Sequence, residues 1–161
     1  MPDSGIEKTI LVLLRISIGW VFLYAASHQV FVPGWSISGF LTHTKTFNGL
    51  FSYFTGPVIA PIVSFMVSYG HLLIGLSLIT GLMVRVSAFF GIFLMMTYWM
   101  AHMDFPYIGD KNSFIIDFHV VDAIVLWLLI VKNSGHIFGL DAWASKQEFV
   151  KNNGSLRWAI G

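Results

Sequence analysis

The chain has 161 residues, 56% hydrophobic and 11% charged, with a formal net charge of +1. An ordinary soluble domain carries about 25% charged residues, so this composition excludes a water-soluble globule, and the near-neutral balance carries no electrostatic footprint for nucleic acid. The lack of cysteine excludes disulfides, thiolate–zinc sites, iron–sulfur ligation and a cysteine nucleophile.

Residues 1–7 lack the basic region of a signal peptide. Ser4 and Glu7 instead fit a capping box, so the first helix is expected to begin there and to stay in the mature protein. A bilayer crossing needs about 20 mostly apolar residues. Four segments meet that need: 8–27, 58–82, 86–102 and 114–131. Between the first two lies a loop, 28–56, rich in aromatic side chains (Phe31, Trp35, Phe40, Phe47, Phe51, Tyr53 and Phe54) and in glycine. It is expected to lie at the membrane interface or to dip in re-entrantly. The second and third segments are joined by the tight turn Gly81 to Arg85. After Asp141, Trp143, Phe149, Val150 and Trp158 alternate with lysines, which suggests a surface-lying tail.

The expected architecture is therefore all-α: an antiparallel four-helix membrane domain over residues 1–141, with an interfacial tail over 142–161. An even number of crossings puts both termini on one side. Lys8, Arg85, Lys132, Lys146, Lys151 and Arg157 fall there and only Lys45 and Lys111 opposite, which makes that side cytoplasmic. Small residues four apart, Ser77 with Gly81 and Ser87 with Gly91, mark faces where helices approach closely.

Arg15, His71, Asp117, His119 and Asp122 are ionisable groups inside the apolar segments, and such groups are functional-site candidates by default. At a rise of about 1.5 Å per residue, Arg15, His71 and Asp122 fall within one layer, roughly 12 to 20 Å from the outer face. Arg15 is expected to pair with Asp122 across the bundle; the pair then serves either as a helix-register ion pair or as part of a ligand site. His71 has three readings: a hydrogen-bonded core histidine, a partner for a quinone carbonyl or proton relay, or a haem or metal ligand. Unequal depths of His71 and His119 speak against haem. His102, His119 and Asp122 form a weak two-histidine, one-carboxylate metal possibility. His28, His43, Asp104, Tyr107 and Asp110 read as solvated loop groups. Trp20, Trp99 and Trp127, with Phe22 and Tyr24, supply flat surfaces for a quinone or isoprenoid head, although packing and interfacial anchoring explain most such rings.

Several strings resemble the DoxX/DoxD family. They are Leu13-Leu14-Arg15-Ile16-Ser17-Ile18-Gly19-Trp20-Val21-Phe22-Leu23, the stretch from Leu72-Leu73-Ile74-Gly75 to Gly81-Leu82-Met83-Val84-Arg85, and the ending Gly135-His136-Ile137-Phe138-Gly139-Leu140-Asp141. The resemblance runs from about Leu11 to Asp141 and implies a four-helix membrane protein, similar to the membrane subunit of thiosulfate:quinone oxidoreductase. Arg15 and Arg85 resemble the family's first-helix and turn arginines. The chain departs from the pattern with His71, where an acidic residue often stands, and with Gln29, where a lysine often follows the first helix.

The expected function is that of a membrane subunit of a redox complex that binds a quinone, with neither haem nor iron–sulfur cluster. Arg15, His71 and Asp122 carry the chemistry in this reading: Arg15 stabilises the ring anion, and His71 or Asp122 exchanges its protons. His71, Trp20, Trp99 and Trp127 would contact the cofactor. No electron carrier is recognisable in the chain, so partner subunits would supply one. The rival expectation is a non-catalytic accessory subunit of a larger membrane oxidase or monooxygenase. A small transporter or channel is a third.

Overall fold

The computed structural model describes residues 4–109 and 114–161. Asp110 and Lys111, assigned above to an outer loop, lie outside the described residues. Helix α1 spans Gly5–Ser27, and Ser4 caps it by accepting the Glu7 N–H at 3.2 Å. The Glu7 carboxylate pairs with Lys132, 125 positions on. Two short helices follow, α2 (Ser38–Thr42) and α3 (Asn48–Ser52), then a 3-10 turn at Tyr53–Thr55 and the long helix α4 (Ile59–Thr80). Helix α5 runs Val84–His102 and passes into a small antiparallel hairpin of β1 (Met103–Asp104) and β2 (Tyr107–Ile108). Helix α6 spans Phe118–Val131, and after a 3-10 turn at Ser134–His136 come α7 (Asp141–Ala144), α8 (Glu148–Lys151) and α9 (Gly154–Ile160).

Among the described residues three helices, α1, α4 and α5, are long and apolar enough to cross a membrane. Helix α6 is shorter than the sequence suggested. Residues 114–117 are not helical, because Asp117 takes the extended N-cap conformation and its side chain accepts the His119 N–H. Aspartate is a favoured N-cap, and here it halts the helix that the apolar run implies. The 14 residues of α6 rise roughly 21 Å, less than the hydrocarbon thickness of about 30 Å.

Helix α1 lies along α4 and α6 along α5, while α4–α5 and α1–α6 contacts close the ring. Leu11, Ile18, Phe22, Ile74, Leu78, Val84, Ala88, Met95, Leu126 and Leu129 fill the centre. The outer faces are equally apolar, with Leu13, Phe65, Leu73, Phe93 and Ile124 exposed, as a hydrocarbon solvent requires. Close approach of α1 and α4 depends on Gly19 and Gly75. A Cβ at Gly75 would sit 2.7 Å from Leu23 Cγ, and one at Gly19 would lie 2.9 Å from Ile79 Cγ1. The expected small-residue contacts take a different form: Ser77 meets Ser87 at 2.8 Å across the α4–α5 turn, and Gly91 gives room to Leu126 and Phe22.

The α1–α4 connection holds short helical pieces within turns and packs as a layer. Ile37, Leu41 and Phe51 are buried with Ala101 at the end of α5, and Trp35, Phe40, Phe47 and Phe54 pack against them. Lys45 pairs with Asp104 at 2.6 Å and Thr46 takes the Met103 carbonyl at 3.1 Å, fastening this layer to the β-hairpin. At the opposite end α7–α9 fold back on the α4–α5 turn: Arg85 donates to the Trp158 carbonyl at 2.9 Å and His136 to that of Ile160 at 3.0 Å.

Candidate functional site

The ionisable groups of the helices gather in two places, at opposite ends of the helix cluster. The first is built around Arg15, which is 1% exposed. Its guanidinium donates to the carbonyls of Ser134, Ile137 (3.0 Å) and Phe138 (3.3 Å). The segment that supplies those carbonyls is held against the α4–α5 turn. Leu140 N–H donates to Thr80 O at 3.1 Å and Asp141 N–H to Gly81 O at 2.9 Å. The buried Asp141 carboxylate accepts Met83 N–H at 2.7 Å and Val84 N–H at 3.2 Å. Burial pushes the Asp141 carboxyl above its usual range, while those two amides and the charges of His136 and Arg15 pull it down.

Glycine is required where these backbones meet. Gly81 has φ +70°, the left-handed region open to residues without a Cβ. A Cβ on it would lie 2.6 Å from Gly139 Cα, and one on Gly139 would lie 2.9 Å from an Arg15 nitrogen. The knot thus joins Gly139 and Gly81 to each other and to Arg15, with Asp141 bonded to the Gly81 carbonyl. It corrects the expected pairing, since among the described residues no ion pair joins Arg15 to Asp122. Asp122 lies near the start of α6, whereas Arg15 meets the chain beyond that helix's end. The depth count failed because the partners of the guanidinium's terminal nitrogens are main-chain carbonyls, not a carboxylate.

The second place is a row of rings where α4, α5 and α6 meet under the α2–α3 layer. His71, 3% exposed, stacks on Tyr98 with ring centroids 5.7 Å apart. Tyr98 lies 5.8 Å from His119, and His119 stacks on His102 at 4.9 Å. Phe22, Phe40 and Phe118 flank the row. Each imidazole has its Nδ1 on an oxygen: His71 on Gln29 Oε1 at 2.8 Å, His102 on the Tyr98 carbonyl at 2.8 Å, and His119 on Asp117 Oδ2 at 2.7 Å. Asp122 is half-buried beside His119 and Asp117. No group of three or more histidine or acidic side chains among the described residues is arranged to hold a metal ion, so the structure does not assemble His102, His119 and Asp122 into a ligand set.

Next to this row a cavity of about 340 Å³ opens between the end of α1, the chain around Trp35 and the first turns of α4. Gln29, Ser64 and Ser68 give it polar wall, and Trp35, Phe65 and Tyr69 flat apolar wall. Gln29 belongs to both features, lining the cavity and holding His71. The tryptophans expected to line a ligand lie elsewhere. Trp20 and Trp127 are 61% and 65% exposed on the outer surface, and Trp99 donates to the Ile115 carbonyl at 2.9 Å.

Residues 10–103, from α1 through α5, match the family model described as DoxX. The chain belongs to the DoxX family. With its three spanning-length apolar helices, this DoxX protein is a membrane protein. No significant match was found among curated proteins or among solved structures. The matched stretch contains Arg15, Gln29, His71, Tyr98 and His102, and it ends before His119 and Asp141, short of the reach to Asp141 that the sequence resemblance suggested.

Sequence reading missed Tyr98 as a site residue, and it saw Gln29 only as a departure from a pattern. Tyr98 was discoverable, since it precedes His102 by four residues and so shares its helix face. Asp117, one of the five ionisable groups noted in the apolar segments, is the partner of His119.

Proposed function

We propose that this DoxX protein is a quinone-binding membrane subunit of a redox complex, with the quinone head in the cavity beside Gln29. The observation that carries the reading is the double engagement of Gln29. Its amide oxygen accepts from His71 and its side chain also bonds Tyr98, and the remaining amide N–H faces a ligand carbonyl in the cavity that Gln29 lines. A cavity of this size falls within the range of about 300–1,000 Å³ usual for small-molecule sites. Trp35, Phe65 and Tyr69 suit a flat ring, and Ser64 and Ser68 provide further polar contacts. His71 is the proton-exchanging group of the proposed site. Arg15 is committed to carbonyls and shapes the fold, and Asp122 acts from beside His119. Electrons come from a partner subunit. In this reading α6 makes a fourth, locally thinned crossing, and both termini are cytoplasmic.

The test is extraction of the protein purified in mild detergent, with quinone identified by absorbance and mass. Titration with a short-chain ubiquinone, read by quenching of tryptophan fluorescence, should give saturable binding that Gln29→Leu weakens about tenfold, a loss of about 1.4 kcal/mol. Absence of quinone from wild-type protein that migrates within a larger assembly would instead support the accessory-subunit reading.

A further inference from the structure

Resting on the quinone reading, we propose that His71, Tyr98, His119 and His102 form a proton path from the Gln29 cavity to the protein surface at the end of α5. The row has a buried end and an open end. His71 is buried beside the cavity's Gln29, and His102 is exposed at the last residue of α5. Between them every ring is within 6 Å of the next, centroid to centroid, at 5.7, 5.8 and 4.9 Å.

The hydrogen bonds fix the chemical state of the row. The Tyr98 carbonyl that His102 meets can only accept. The Asp117 carboxylate on His119 and the Gln29 oxygen on His71 do the same, so all three rings carry hydrogen on Nδ1. Each Nε2 is then a lone-pair base, and no hydrogen bond among the described residues uses any of the three. A neutral imidazole with an anchored Nδ1–H takes a proton at Nε2 and returns it from the same atom. Water or the Tyr98 hydroxyl, which also accepts from the Gln29 amide, is the carrier between rings, since a hydroxyl both donates and accepts. Asp117 and Asp122 lie beside His119. Phe22, Phe40 and Phe118 close its sides against hydrocarbon. Proton count and charge balance at each step, because every ring that gains a proton passes one on.

Full-length protein in lipid nanodiscs, loaded with a short-chain ubiquinone and reduced at an electrode, tests the path. The quinone takes two electrons from the electrode and two protons to become quinol. In His102→Gln, quinone binding should persist while the rate of proton-coupled reduction falls about a hundredfold, the scale of a lost acid–base group. Added imidazole should restore much of that rate. Tyr98→Phe should lower the rate without rescue by imidazole, because its place is enclosed. If Tyr98→Phe does not fold, His102→Gln at an exposed helix end still decides the matter. Intact binding with an unchanged rate in His102→Gln overturns the proton path and leaves the quinone reading standing. Failure of wild-type protein to bind the quinone overturns both.

Discussion

The Arg15 guanidinium reaches three carbonyls in one short stretch of chain, a task suited to its forked donors and not to the single ammonium of lysine. Arg15→Lys should therefore leave at least one buried carbonyl without a donor and lower stability by about 2–4 kcal/mol. Unfolding by denaturant in detergent would measure it, and an unshifted midpoint would refute this account of Arg15. The sequence made Arg15 conspicuous as a charge in an apolar helix, but it hid the partner. Every residue carries a carbonyl, so nothing in the letters Ser134, Ile137 and Phe138 marks them as acceptors. His71 was legible as an outlier for the same reason that Arg15 was. Its connection to Gln29, 42 positions away, depends on how α1 ends against α4.

At the level of elements, α1, α4 and α5 were readable because long apolar runs end in clear stop signals: the Ser4 cap in front of α1, and the left-handed Gly81 behind α4. Helix α6 was overextended because a continuous apolar run says nothing about where Asp117 turns its side chain back on the backbone. The short helices α2 and α3 escaped notice because five residues are too few to show a period. The seam between α1 and α4 was missed as well. The pairs singled out were four residues apart on one helix, whereas Gly19 and Gly75 face each other from two. Gly75→Leu should force these helices apart and cost about 1–3 kcal/mol, the usual penalty of overpacking. Gly70→Leu, on the same helix with nothing within 4 Å of a Cβ there, should cost far less. Equal losses in the two variants, compared by thermal unfolding, would refute the seam.

For the molecule as a whole, composition alone announced the membrane, and the three spanning-length helices agree. The sidedness proposed from basic residues has a direct check, since a chain without cysteine accepts single cysteine labels on a silent background. Ser52→Cys, in the α1–α4 connection, should react with a membrane-impermeant maleimide in intact cells. Lys8→Cys and Lys151→Cys should react only after permeabilisation. The reverse order would place the termini outside. The candidate site was only half legible at this scale. Its histidines were visible, but the cavity comes from the non-helical chain between α1 and α2 folding over α4, which no periodicity reveals, and the row of rings comes from three helices meeting.

The clasp around Arg15 also sets an order of events during synthesis. The first helix leaves the ribosome carrying a cation whose acceptor at Ser134 is encoded 119 residues later. Until that stretch is made, Arg15 lacks the carbonyls that meet it in the folded protein. A chain halted before Ser134 lacks these acceptors and should be degraded faster than one that includes them, which pulse-chase of the two lengths would measure.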